Sequence, residues 1–157
     1  MNIAVTDTRK ARVLYDDLRE WIVEADKLGE LVRANGYSWQ EDIGMATELV
    51  QHDENAPCVI FDEIPGCRKG HRVLTNFFGG RRKNMTLGFP LDWSKLELSQ
   101  AFLDHYLREL KTIPYTFVDD GPVFENIMLG DDVDATRFPV PVWHEGDGGR
   151  YIGTGSF

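Results

Sequence analysis

Three stretches of this chain repeat apolar residues at helical spacing, and short β-rich runs lie between them, so the chain is committed to a fold that mixes helices with strands. Leu14, Leu18, Trp21, Ile22, Ala25 and Leu28 share one side of a predicted helix, with Asp16, Asp17, Arg19, Glu20 and Glu24 between them. Gly29 stands where a C-cap ends such a helix. Ser38 followed by Glu41 has the form of a capping box ahead of Ile43, Ala46, Leu49 and Val50. Ser94 followed by Glu97 repeats that signature ahead of Leu98, Phe102, Leu103, Tyr106 and Leu110.

The strands are shorter. Cys58-Val59-Ile60-Phe61 is an apolar run that ends at the turn-prone Ile64-Pro65-Gly66. Val73 to Phe78 is a second run, stopped by Gly79-Gly80. Val123, Ile127 and Leu129 alternate with Phe124, Asn126 and Met128, as in a strand with one better-buried face. Phe138-Pro139-Val140-Pro141-Val142 is extended, because each proline disfavours helix at the residue before it. Tyr151-Ile152-Gly153-Thr154 reads as the opening of another strand. With so few residues after it, the expectation is a chain cut inside a structural unit or completed by another chain, with a frayed tail as the plain alternative.

The 17 Lys and Arg against 26 Asp and Glu give a net charge of −9, which argues against a general nucleic-acid binder. No apolar run reaches the ~18 residues of a membrane span. Residues 1–12 carry charges and no apolar signal core. Cys58 and Cys67 form neither C-x-x-C nor a disulfide framework, and the default expectation is a soluble, reduced, cytoplasmic protein.

Charge is segregated along the chain. Residues 65–91 contain no acid but hold Arg68, Lys69, Arg72, Arg81, Arg82 and Lys83; residues 112–136 contain no base but hold Asp119, Asp120, Glu125, Asp131, Asp132 and Asp134. Arg81-Arg82-Lys83 after two glycines suggests an anion site. In the plainer reading, which the lack of a P-loop pattern favours, the basic and acidic segments face each other or water. Gly130-Asp131-Asp132-Val133-Asp134 has a look of calcium ligation without the spacing or terminal Glu of an EF-hand, so a solvated turn is expected. His144, Glu145 and Asp147 offer a base, a carboxylate and a metal pair, but no second histidine stands at ligand spacing, and a hydrogen-bonded turn is the simpler account. Cys58 reads as a small buried hydrophobe; Cys67 lies among cations but has no Cys-His partner in view. The residues alone lead to a mixed α and β protein with no complete catalytic constellation.

Four segments in order resemble the N-terminal part of the UbiD decarboxylase family. They are Asp17-Leu18-Arg19-Glu20 with Gly29-Glu30-Leu31-Val32-Arg33, similar to the family's opening helix and following strand; residues 57–66; Val73 to Arg82, closing at Leu87-Gly88; and residues 130–152, with Phe138-Pro139-Val140-Pro141 and His144-Glu145-Gly146-Asp147-Gly148-Gly149-Arg150-Tyr151-Ile152. The resemblance implies reversible, non-oxidative decarboxylation of an aromatic or α,β-unsaturated acid with prenylated flavin mononucleotide (prenylated FMN), Mn²⁺ and K⁺, the ring system accepting the electrons that carbon dioxide leaves behind. The family's catalytic Arg and Glu and its metal motif fall after residue 157, so no catalytic or metal residue is assigned; Thr154 is the one cofactor-binding candidate.

The expected fold class is α+β: a mixed α/β domain over residues 1–120, then over residues 121–157 the first strands of a flavin-reductase-like split β-barrel, incomplete here. The expected function is that of an N-terminal part of such a carboxy-lyase, inactive alone and completed by the rest of the enzyme, with an oligomer expected for the complete protein. The alternative is a small assembly or binding subunit that partners a separate catalytic chain. An anion- or nucleic-acid-binding role for the Arg68 to Lys83 cluster is disfavoured by the charge. No nucleic acid and no membrane is expected as partner.

Overall fold

The structure, a computed structural model, describes residues 12–105, 107 and 110–153. Tyr106 of the third predicted helix and Thr154 lie outside the described residues.

Helix α1 spans Leu18–Lys27. It starts later than the periodicity suggests because Asp17 caps it, its carboxylate accepting from the Arg19 and Glu20 amides at 2.8 and 2.9 Å. Leu14 therefore lies ahead of the helix and is exposed. The chain leaves α1 through Gly29 at φ +70°, a left-handed conformation that favours glycine. Strand β1 (Leu31–Asn35), helix α2 (Asp42–Gln51) and strand β2 (Cys58–Asp62) follow. At the start of α2, the Ser38 hydroxyl accepts from the Asp42 amide at 3.3 Å, and the Asp42 carboxylate accepts from the Ser38 amide at 2.8 Å. The reciprocal pair expected between Ser38 and Glu41 is thus made one residue later.

β1 and β2 pair in parallel, Leu31 opposite Cys58, as a β–α–β crossover requires. Strand β3 (Val73–Thr75) pairs antiparallel with β2, which is thereby central. The run predicted through Phe78 stops early, because Asn76 turns into the left-handed region at φ 52°. Its amide group instead donates to the Ala56 and Pro57 carbonyls at 3.3 and 3.1 Å.

Gly79-Gly80 does not end in a loop. Gly79 precedes helix α3 (Gly80–Thr86), which carries all three of Arg81, Arg82 and Lys83. Helix α4 (Lys95–Asp104) opens with the expected capping box of Ser94 and Glu97.

β2 has period-2 side chains and helices on both sides, so its two faces feed two cores. Cys58 packs with Trp21 and Ala25 of α1 and Met85 of α3. Val59 and Phe61 pack with Ile43 of α2 and with Ile64. The Trp21 indole donates to the Thr86 hydroxyl at 3.0 Å, which satisfies its one polar group and ties α1 to α3.

The strand expected over Val123 to Leu129 does not form, and none of the expected split-barrel strands is present among the described residues. The backbone there makes single 3₁₀ turns at Pro122–Phe124 and Gly130–Asp132 instead. Alternation alone does not make a strand: a ladder needs a neighbour to accept its hydrogen bonds, and no strand lies beside this segment. Tyr151 to Gly153 likewise carry no ladder. No helix among the described residues is long and apolar enough to cross a membrane.

Candidate functional site

One polar cluster sits where residues 138–150 lie against α2. Proline-restricted backbone keeps residues 138–142 straight, and the Val142 amide donates to the Trp39 carbonyl at 2.9 Å. Gly44 lets it come close. A Cβ at Gly44 would stand 2.4 Å from the Val142 carbonyl oxygen and 2.5 Å from that of Trp143, so any side chain there displaces the segment. Arg150 closes the far end: its guanidinium lies 4.5 Å from the Trp39 ring centre and donates to the Thr136 and Phe138 carbonyls. On the other side His71 meets the Arg137 carbonyl at 3.2 Å and stacks near Phe138.

This docking carries His144 to Glu48. The Glu48 carboxylate is 2.8 Å from His52 Nε2 through one oxygen and 3.2 Å from His144 Nε2 through the other, and it also accepts from Gln51. Hydrogen bonds from His52 first and His144 second hold the Glu48 carboxyl below the ordinary glutamate range. Two open clefts flank the seam, of about 620 and 340 Å³, and share Glu48, Trp143 and His144.

The other candidate residues are distributed elsewhere. His144, Glu145 and Asp147 form the expected turn: the His144 amide donates to the Asp147 carboxylate at 3.0 Å, and the Asp147 amide returns to the His144 carbonyl at 3.2 Å. Asp131 and Asp132 are exposed in a 3₁₀ turn, and Asp134 caps the next one through the Thr136 amide at 2.9 Å. Arg82 is buried, with 1% of its surface exposed, and donates to Glu30 at 2.8 Å and to the Ala56 and Asn76 carbonyls at 2.7 and 3.1 Å. Arg81 reaches the other Glu30 oxygen at 2.6 Å. Both guanidiniums are therefore committed to an internal carboxylate, and the Arg81-Arg82 pair is not a free anion cradle. Burial pushes the Cys58 thiol up, and it donates to the Glu30 carbonyl at 3.1 Å, so it packs rather than reacts.

Sequence reasoning passed over Glu48 and His52. Their i, i+4 spacing on a capped helix was the available signal. Among the described residues, no group of three or more His, Cys, Asp or Glu side chains is arranged to hold a metal ion.

Comparison with known proteins bears out the resemblance read from the residues. The family model described as the UbiD 3-octaprenyl-4-hydroxybenzoate carboxy-lyase Rift-related domain matches residues 116–157. A pyrrole-2-carboxylic acid decarboxylase of Pseudomonas aeruginosa is 34% identical over 150 residues, which is 90% of this chain and 30% of that protein. A phenolic acid decarboxylase of Streptomyces is 28% identical over 142 residues, 88% of this chain and 29% of the relative. The vanillic acid decarboxylase of Sedimentibacter hydroxybenzoicus in its open form superposes with a TM-score of 0.71 at 26% identity, over 88% of this chain and 30% of the solved one. The chain thus spans about 30% of the length of the relatives it matches.

Proposed function

We propose that this chain, which is related to the UbiD family, is the N-terminal scaffold of a reversible, non-oxidative decarboxylase of aromatic or α,β-unsaturated carboxylic acids and does not turn over substrate by itself. The observation that carries this reading is the 34% identity to a pyrrole-2-carboxylic acid decarboxylase along nearly the whole chain. The likeness to a vanillic acid decarboxylase supports the same substrate class.

Departure of carbon dioxide leaves an electron pair that needs a conjugated acceptor, and prenylated FMN supplies one when bound. We place no part of its site in the open clefts beside α2. We assign the cofactor, Mn²⁺ and K⁺ contacts of the complete enzyme to residues outside the described ones, Thr154 being the candidate from this chain. What the described residues offer is position. The docked segment 138–150 fixes the direction in which the chain enters residues 151–157, and residues 110–133 present an unsatisfied apolar row for further structure to cover.

The purified 157-residue chain, mixed with prenylated FMN, Mn²⁺ and K⁺, is expected neither to retain flavin on gel filtration nor to release carbon dioxide from pyrrole-2-carboxylate or a phenolic acid. Measurable decarboxylation by this chain alone would overturn the scaffold reading. A second reading, a small subunit serving a separate catalytic chain, is supported by the two self-contained cores around β2. It requires that a native extract yield a partner on pull-down, and recovery of none counts against it.

A further inference from the structure

We propose that residues 138–150 form a strap whose docking on α2 is pH-gated by the Glu48–His144 contact. The proposal does not depend on the carboxy-lyase reading.

A titratable ring, His71, stacks on Phe138 at the other side of the strap. Of the three attachments on the α2 side, two are indifferent to pH near neutrality: the backbone contact at Trp39 with the close approach over Gly44, and the Arg150 clamp. The third is not. His144 Nε2 meets one Glu48 oxygen while His52 Nε2 occupies the other, so His52 orients the carboxylate that receives the strap. Both imidazoles and the carboxylate are solvent-accessible, so protons reach them without unfolding.

Charged and titratable groups face the strap imidazole from its own segment and from α2. α2 contributes Glu48 and His52, with Glu41 just before it beside the same cleft. The strap contributes Glu145 and Asp147, whose carboxylate stands 3.9 Å from His144 Nδ1. The sheet side contributes Leu74, Thr75, Asn76 and Phe77, none of them charged. No Lys or Arg lines either cleft. A neutral His144 offers Glu48 a hydrogen bond; a protonated one offers an ion pair as well. At the acid end the sign reverses. The Glu48 carboxyl is held below its usual range by His52 first and His144 second. The His144 share, which alone crosses the seam, is present above the ordinary glutamate value and is lost as pH falls through the depressed one. The Glu48–His144 contact therefore holds the strap most strongly in mildly acidic solution, less above neutrality and not at all in strong acid, where on the α2 side only the Trp39 and Arg150 attachments remain.

The Val142 amide reports docking directly, since its acceptor is across the seam on Trp39. Its hydrogen-exchange protection factor, corrected for intrinsic exchange, is to be measured by NMR on the 157-residue chain. The comparison is between about pH 5.5 and about pH 8, which bracket imidazole protonation. Protection about threefold higher at the lower pH is expected, the size of a solvent-exposed ion pair. Glu48→Gln and His144→Gln should each abolish the difference, while amides of α1 and β2 stay protected in both variants and show that the fold is intact. Equal protection at the two pH values in the unaltered chain overturns the proposal, and so does a difference that survives either substitution.

Discussion

Residues 18–86 and residues 110–134 are both well supplied with large apolar side chains and use them in opposite ways. In the first, Trp21, Ile43, Phe61 and Met85 are almost fully buried. In the second, Ile113 is 91%, Phe117 87% and Val123 82% exposed. Hydrophobicity is common to both; what differs is the presence of a partner surface. β2 has a strand on each side and helices over both faces, so each inward residue meets others. Residues 112–136 carry six carboxylates and no base, and their turns are closed by short-range bonds, with Arg150 reaching the Thr136 carbonyl at the far end. An apolar residue is stabilising only when other surface takes it out of water.

The largest effects should therefore come from the central strand. Phe61 is fully buried, packed with Ile43, Val59 and Ile64 and against the Tyr37 ring at 5.5 Å. Phe61→Ala should cost about 4 kcal/mol in urea unfolding, from lost burial and the cavity left behind. A cost below about 1 kcal/mol would mean that the region closes over the gap, and the contrast with residues 110–134 would collapse.

The next effect tests the polar seam between β1 and α3. Glu30→Ala leaves the Arg82 guanidinium buried with only carbonyl partners, and should cost about 3 kcal/mol. Arg82→Met should cost less, because Glu30 is partly exposed and keeps Arg81. The ranking, read from paired denaturation curves, is the sharper test: if the arginine substitution proves the more damaging, the buried charge is not what sets the energy.

This seam also marks where the sequence stops being readable. α1, α2, α4 and β2 are legible because their signals are local: a capping residue, a period, a proline or glycine boundary. β1 entered only through the family resemblance, since Leu31, Val32 and Arg33 have no period of their own. α3 was hidden by Gly79-Gly80, which reads as a stop but here precedes a helix. Arg82 looked like a surface cation because its partner lies 52 residues away. The docking of residues 138–150 was equally invisible: Gly44 and Val142 each look ordinary, and only their juxtaposition explains the glycine. Thr154, the cofactor candidate, lies outside the described residues. The alternation at Val123 to Leu129 is the converse case, a local signal with no neighbour to complete it.

The smallest expected effect completes the comparison. Phe117 is 87% exposed and meets the ring of its near neighbour Tyr115 at a separation of 5.0 Å. Phe117→Ala should change the unfolding free energy of this chain by less than about 0.5 kcal/mol, as at other exposed positions. The same side chain should respond differently where something covers it. In a complete decarboxylase of the kind proposed above, covering this row would make the substitution cost about 3 kcal/mol or more, through the same burial that governs Phe61. Measuring both, the short chain and the complete enzyme, separates a solvated linker from an interface awaiting its other half. A loss of stability in the short chain would show that residues 110–134 are already packed, and equal indifference in both would show that the row is never covered.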